Sequence, residues 1–501
     1  MLFWPIKAEI KEKMIKDFLK DVVKYLPAQI APGIVGFISI PIITRIFSPQ
    51  DYGNYSLAMA TIMVLSTLAG WLPMSIIRFY PAYERDKKLD LFYGNILRLT
   101  FISILVITFV FIIFIFSIKR LISSKLHLLM LIGICVFIAI AIFNVLQHFL
   151  RSKRQVGWYS RFAIWKSVMG FGFGIALIFL FKLGIKSLLW GIVLSIFFVI
   201  PFLWRKAIGS ISSIYSKLNL SFVKDLANYS FPLVIGNLAA WILSLSDRYI
   251  LEFFRGSQEV GIYSASYNIS EKSIMLLASL FILASGPISI HIWEKEGKEK
   301  CTEFINKITR YYLVACVPAI IGLSVLSKPI LNIMTGEQYF EGYKIIPFVT
   351  LGILFLGLQQ RFQAGFIFYK KTGYISLSIV VSGLLNIFLN FLFIPKYGYF
   401  AAAVTTLVSY AFLLFLMIIL SRRFFVWKFP LKSLIKVICA STIMGIVVYY
   451  VVNNLTTSVP INLISGICIG VLVYFLMLLL LREFYPQEKQ QIKRILKVYS
   501  L

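Results

Sequence analysis

Charge is scarce in this sequence. Only 14% of its 501 residues are Asp, Glu, Lys or Arg, against roughly 25% in soluble domains. Acids are scarcest, with 21 Asp and Glu facing 50 Lys and Arg. A chain so poor in charge and 59% hydrophobic is not an ordinary soluble domain. Histidine is nearly absent: His127, His148 and His291 stand far apart, which argues against a His-based metal centre. The cysteines Cys135, Cys301, Cys316, Cys439 and Cys468 are scattered and odd in number, so neither a disulfide framework nor a cysteine metal site is expected. The sequence also lacks an ATPase-type Gly-rich phosphate loop, paired acids on a soluble domain, and any loop long enough to hold an enzyme domain. These absences point away from an enzyme, a resident cofactor and a primary pump.

What is present is apolar sequence in long blocks. About twenty apolar residues are needed to cross a ~30 Å hydrocarbon core. Fourteen blocks of that kind can be read, at 22–46, 53–80, 91–118, 126–150, 157–182, 184–206, 224–253, 260–290, 303–327, 342–370, 373–395, 398–421, 431–453 and 460–482. The expected fold is an all-α polytopic membrane protein of fourteen transmembrane helices. A net charge of +29 would suggest nucleic acid in a soluble protein. Here basic residues in short cytoplasmic loops account for it, and no nucleic-acid partner is expected. With a cytoplasmic N-terminus, 35 of the 50 Lys and Arg fall on the inside, 10 on the outside and 5 within spans. That asymmetry places both termini in the cytoplasm of a cell-membrane protein. Ahead of the first span, Ile6, Ile10, Met14, Phe18 and Val22 recur every four residues among Lys and Asp. Residues 1–21 therefore read as an amphipathic segment lying along the membrane face, not as a cleavable signal.

The chain also repeats itself. "SPQDYGNYSLA" (48–58) returns as "GSQEVGIYSAS" (256–266), with Gln50, Gly53, Tyr55 and Ser56 answered by Gln258, Gly261, Tyr263 and Ser264. "KLGIKSLLWGIVLS" (182–195) returns as "KYGYFAAAVTTLVS" (396–409), matching at Lys182/Lys396, Gly184/Gly398 and Ser195/Ser409. Asp21, Tyr25 and Pro27 are echoed by Asp225, Tyr229 and Pro232. Three echoes in one order, at offsets of 204 to 214, predict two copies of a six-helix unit. Six is even, so the copies are parallel. The expected organisation is an N-lobe over 22–206, a C-lobe over 224–421, two added helices over 431–482 and a cytoplasmic tail over 483–501. Proteins built from such repeats are commonly alternating-access transporters. Pro and Gly in the first and seventh spans would let matching helices bend.

Ionised side chains within a membrane usually face a cavity and a partner. The candidates here are Arg78, Arg98, Lys166, Arg248, Lys272 and Arg361, against few deep acids, Asp247 and Glu271 among them. That imbalance calls for an anion, and a diphosphate would satisfy several cations together. Plainer readings stand beside this one. Arg78 and Arg98 can snorkel to headgroups, Lys272 can pair with Glu271, and Arg248 can bridge to Glu252 one turn away. Asn386 and Asn390, also one turn apart, fit interhelical hydrogen bonding.

"PIITRIFSPQDYGNYSLA", "SDRYILEFFRGSQEVGIYSASYNI" and "LNIFLNFLFIPKYGYFAAAVTTLVSY" together resemble the polysaccharide transport family. These are the Wzx-like O-antigen and exopolysaccharide flippases of the multidrug/oligosaccharidyl-lipid/polysaccharide exporter superfamily. The likeness runs over essentially the whole chain. Phe400-Ala401 departs from the Gly-Ala often found after the Pro-x-x-Gly turn, which implies a local packing difference. The resemblance implies a flippase that moves a polyprenyl-diphosphate-linked oligosaccharide to the outer leaflet for surface polysaccharide assembly. On that reading the partners are membrane lipids, proton or sodium as coupling ion, and glycan polymerase or ligase machinery. Asp247 and Glu271 would be the titratable coupling candidates. A lipid II-type flippase is the nearest alternative. A multidrug cation antiporter is further off, because it would be expected to have twelve spans and a more acidic cavity.

Overall fold

The computed structural model describes residues 27–28, 30–209, 220–455, 457–485 and 488. The amphipathic segment expected over 1–21, and the echoing Asp21 and Tyr25, lie outside the described residues. Among the described residues the fold is helical, with no strand. In order the helices are α1 (Ile30–Ile46), then α2 (Pro49–Leu68), α3 (Trp71–Arg85), α4 (Leu89–Ser117), α5 (Ser124–Ser152), α6 (Val156–Phe181), α7 (Lys186–Ala207) and α8 (Leu220–Arg255). They continue as α9 (Ser257–Glu296), α10 (Lys298–Val325) and α11 (Ser327–Met334), then a 3-10 turn (Glu337–Ile345). The chain then forms α12 (Ile346–Phe362), α13 (Ala364–Phe368), α14 (Gly373–Ser421), α15 (Leu431–Asn454) and α16 (Val459–Leu480).

Among the described residues, helix underlies each of the fourteen apolar blocks, while eleven helical stretches are long and apolar enough to cross a membrane. The two figures differ at three places: α1 is short, α9 (block 260–290) is not among the eleven, and α14 holds two blocks in one 49-residue element. α14 is in fact a hairpin. Gly398 leaves the helical conformation at φ 57°, ψ −140°. Across it, Asn386 Nδ2 donates to Ser409 Oγ at 3.3 Å and to Thr406 Oγ1 at 3.4 Å. A straight helix would hold residues 386 and 409 about 34 Å apart at 1.5 Å per residue. The echoing Gly184 turns the α6–α7 connection with φ 69°. Only glycine adopts such angles without strain, which is why the second sequence echo centres on these two positions.

The structure divides into two compact units, Met1–Ser264 and Ala265–Leu501. The sequence repeat starts its second copy at α8, whereas the packing assigns α8 to the first unit. The reason is close contact between α8 and the helices α2 and α3. Trp71 stacks on Phe231 at 5.6 Å, and Ser75 and Ser230 share a 2.5 Å hydrogen bond. The core of this unit gathers Ile76, Phe92, Ile96, Phe149, Leu203 and Leu226. In the second unit Trp293 stacks on Phe368 at 4.7 Å with Phe425 at its edge. Large apolar side chains such as Phe101, Phe109, Phe197, Phe388 and Val471 remain exposed. In a protein whose helices suit membrane spans, such surfaces face lipid and need no cover.

Candidate functional site

The two copies of the repeated phrase cross each other within the first unit. α2 begins with Ser48 as its cap, the hydroxyl accepting from Asp51 N at 3.2 Å. Five residues on, Gly53 lies against the backbone of Ser257, and a Cβ there would come within 1.9 Å of Ser257 O. Gly261 lies against Pro49, and its Cβ would come within 1.8 Å of Pro49 O. Pro49 and Ser257 are themselves equivalent in the repeat, so each glycine meets the counterpart of the residue four before it. This is the geometry of a local two-fold axis. Ser56 Oγ donates to its own equivalent, Ser264 Oγ, at 2.9 Å. Small residues let membrane helices approach to backbone contact. Here their recurrence at matched positions gives the approach its symmetry.

The crossing is fastened by polar side chains. Ser257 Oγ lies 2.8 Å from both Asn54 Oδ1 and Glu252 Oε1. Thr61 Oγ1 and Tyr249 Oη are 2.7 Å apart. Asp247 and Arg248, both buried, meet the second phrase directly. Tyr263 Oη donates to Asp247 Oδ2, and Arg248 Nε donates to Ser264 Oγ at 3.3 Å. Arg248 Nη1 lies 3.6 Å from Asp247 Oδ1. The one-turn bridge to Glu252 is replaced by this arrangement, with Glu252 turned to Ser257 instead.

Along α2 from Gly53, about 9 Å or more at 1.5 Å per residue, lies a cavity of about 380 Å³. Its polar walls are Ser66 and Thr67 of α2, Asn144 and His148 of α5, and Asn237 of α8; Met59, Met63 and Met74 supply apolar surface. No Asp or Glu lines it. His148 Nδ1 lies 2.8 Å from Asn144 O. Lys166 of α6 reaches over the Phe143 ring, 4.8 Å from its centroid and one residue from Asn144. Arg98 is half-buried and Arg78 exposed.

In the second unit, Glu271 and Lys272 are half-buried on α9, and Arg361 is buried on α12 beside Ser285, to which its Nη1 donates. Asn390 Nδ2 donates to Asn386 Oδ1 at 2.9 Å, and Thr405 donates to Asn390, so these amides tie the α14 hairpin across its own turn. An apolar cavity of about 400 Å³ runs among α9, α10, α15 and α16, lined by Leu277, Pro318, Leu323, Met444, Ile467 and Val471 among others. One cluster was not foreseen. Arg310, buried on α10, donates through Nε to Glu483 Oε1 at 2.7 Å and through Nη1 to Glu488 Oε1 at 2.6 Å. Tyr311 Oη donates to Glu488 Oε1 at 2.7 Å. The available signal was two acids standing five residues apart in a basic tail. Among the described residues, no three His, Cys, Asp or Glu side chains are grouped to hold a metal.

Comparison with known proteins matches residues 18–293 to the polysaccharide biosynthesis protein family. The chain belongs to that family. The resemblance read from its motifs is thereby borne out. The MatE family matches residues 232–392, across the second copy of the repeat. An uncharacterized membrane protein of Methanocaldococcus jannaschii is 23% identical over 68% of this chain and 71% of its own length. A probable low-salt glycan biosynthesis flippase of Haloferax volcanii, Agl15, is 24% identical over 60% of this chain and 63% of its own, a little under two thirds. The succinoglycan biosynthesis transport protein ExoT of Rhizobium meliloti is 20% identical over 92% of this chain and 91% of its own. Among solved structures, the lipid II flippase MurJ in an inward closed conformation superposes with a TM-score of 0.77 at 19% identity, covering 92% of this chain and 99% of that one. An inward-facing multidrug resistance transporter of the MATE family gives 0.63 at 13% identity, over 80% and 94%. At these identities the superpositions bear on the fold alone, which is that of a multi-pass helical membrane protein.

Proposed function

We propose that this protein is a flippase that carries a polyprenyl-diphosphate-linked oligosaccharide from the cytoplasmic to the outer leaflet by alternating access. The observation that carries the reading is the cavity walled by α2, α3, α5 and α8, lined by hydroxyl, amide and imidazole groups and by no acid. Neutral hydrogen-bonding groups suit sugar hydroxyls, and an acid-free wall disfavours an organic cation. Membership of the family and the names of its flippase relatives support the same class of cargo. In the first unit Arg78, Arg98 and Lys166 are the proposed partners of a diphosphate; in the second, Lys272 is a further candidate cation and the apolar cavity offers a surface to a polyprenyl chain. Both termini are taken as cytoplasmic, so the crossing of the two phrases lies at the outer ends of α1 and α8. It would part to release cargo and re-form afterwards. Asp247, held by Tyr263 at that crossing, is the proposed coupling acid, with Glu271 second.

The deciding experiment is a leaflet-resolved assay in vesicles reconstituted with the full chain. Movement of a polyprenyl-diphosphate oligosaccharide supports the proposal, and lipid II supplied in parallel separates the two cargo classes. Transport of small organic cations, with neither lipid moved, would overturn it.

A further inference from the structure

Arg361 is only 5% exposed, and its surroundings do not neutralise it. Nη1 donates to Ser285 Oγ, and the guanidinium carbon lies 5.6 Å from the Tyr312 ring centroid. Nε and Nη2 have no hydrogen-bond partner. No carboxylate pairs with Arg361 among the described residues. Beside it opens a cavity of about 80 Å³, lined by Ser285, Ser289 and Gln360 together with Ile305, Ile308 and Phe368.

The same unit shows how this chain neutralises a buried guanidinium when side chains are meant to do it. Arg310 has Glu483 on Nε and Glu488 on Nη1, at 2.7 and 2.6 Å. Arg361 is equally buried and equally cationic, since a guanidinium does not lose its proton in proteins. Water could take the N–H groups of these two nitrogens but would leave the charge uncompensated in a low-dielectric surround. A space of about 80 Å³ is several times the ~10–15 Å³ that a cavity needs to hold one water. It is ample for a halide ion with a water and far too small for a diphosphate-linked sugar.

We propose that Arg361, with Ser285 and Gln360, holds one compact inorganic anion of the chloride class inside the second unit. The ion completes the charge balance that Glu483 and Glu488 provide for Arg310. It ties α9 to α12 through the guanidinium. The site is separate from the cavity of the first unit, and it stands whichever lipid the protein carries.

The test is thermal unfolding of the full-length protein in detergent, at matched ionic strength, in sodium chloride, bromide, phosphate or gluconate. Chloride and bromide are expected to raise the Tm saturably over gluconate, with phosphate weaker. Arg361→Gln should abolish the halide dependence, while Arg85→Gln, at an exposed arginine, should retain it. Ser285→Ala keeps the guanidinium and removes one contact at the site. It should weaken the apparent halide affinity by about tenfold, which keeps the test open if Arg361→Gln does not fold. Bromide should also give an anomalous diffraction peak within hydrogen-bond distance of Nε or Nη2. Absence of halide dependence, equal dependence in Arg361→Gln, preference for phosphate, or a cavity holding water alone would each overturn the proposal.

Discussion

Asp247 and Arg248 show how much a single residue's partners decide. Each is almost fully buried, and each is satisfied partly by the other and partly by the second copy of the phrase, through Tyr263 and Ser264. Arg248→Ala would strand Asp247 as a buried carboxylate, which costs roughly 3–5 kcal/mol. The double variant Asp247→Asn/Arg248→Gln removes both charges and is expected to unfold at a clearly higher temperature than Arg248→Ala in detergent. A double variant no more stable than the single one would show that the pair is not coupled. At the other end of the chain, burial pushes the Glu488 carboxyl up. Hydrogen bonds from Arg310, Tyr485 N and Tyr311, with the charge of Arg310, outweigh burial and hold it at about 2, below the ordinary 4.5. A carboxyl lowered on folding stabilises the folded state fully above its unfolded value and loses that contribution as pH falls through the folded one. The docking of Glu488 on α10 should therefore weaken between pH 4.5 and about 2. Hydrogen exchange at residues 483–485, corrected for its intrinsic pH dependence, should rise across that window. In Glu488→Gln it should be fast at both ends.

At the scale of elements, two kinds of glycine do different work. Gly53 and Gly261 permit backbone contact between helices, and Gly184 and Gly398 turn helical hairpins. Gly398→Ala places a Cβ in a conformation that costs of order 1–3 kcal/mol, and its thermal stability should fall accordingly. Gly157, with open space around it, is the matched control for which Ala should cost nothing measurable. The crossing makes a sharper prediction. Ser56 and Ser264 lie on its local two-fold axis with their Oγ atoms 2.9 Å apart. The double variant Ser56→Cys/Ser264→Cys, in a background free of the five native cysteines, should form a disulfide under mild oxidation. If the crossing parts in each transport cycle, that disulfide stops lipid movement and a reductant restores it. Full transport by the oxidised, cross-linked protein would show that the crossing is a fixed support instead.

For the whole molecule, the sequence was informative wherever information is periodic or repeated. Apolar blocks marked the helices, and the recurrence of Gly53 as Gly261 and of Gly184 as Gly398 marked equivalent points in two copies. What it could not carry was proximity between distant positions. Nothing local says that Gly53 touches Ser257, that Ser285 faces Arg361, or that Arg310 is claimed by acids more than 170 positions away. The division into units likewise departs from the repeat, because α8 is held by Ser230, Phe231 and Tyr249 against α2 and α3, a matter of packing and not of ancestry. Orientation in the membrane is different again, since it rests on the side preferred by Lys and Arg. It is open to direct measurement. The exposed side chains of Arg85, Lys125, Lys300 and Lys344 sit at or beside four connections along the chain. Single cysteines at these positions, again without the native ones, should split into two classes. Lys125→Cys and Lys344→Cys should react with a membrane-impermeant maleimide in intact cells. Arg85→Cys and Lys300→Cys should react only after permeabilisation. Reversal of both classes would invert the topology and move the crossing of the two phrases to the cytoplasmic face, where it would gate loading instead of release. Agreement at 85 and 125 with reversal at 300 and 344 would instead place an error in the number of spans between them, at α5 to α9.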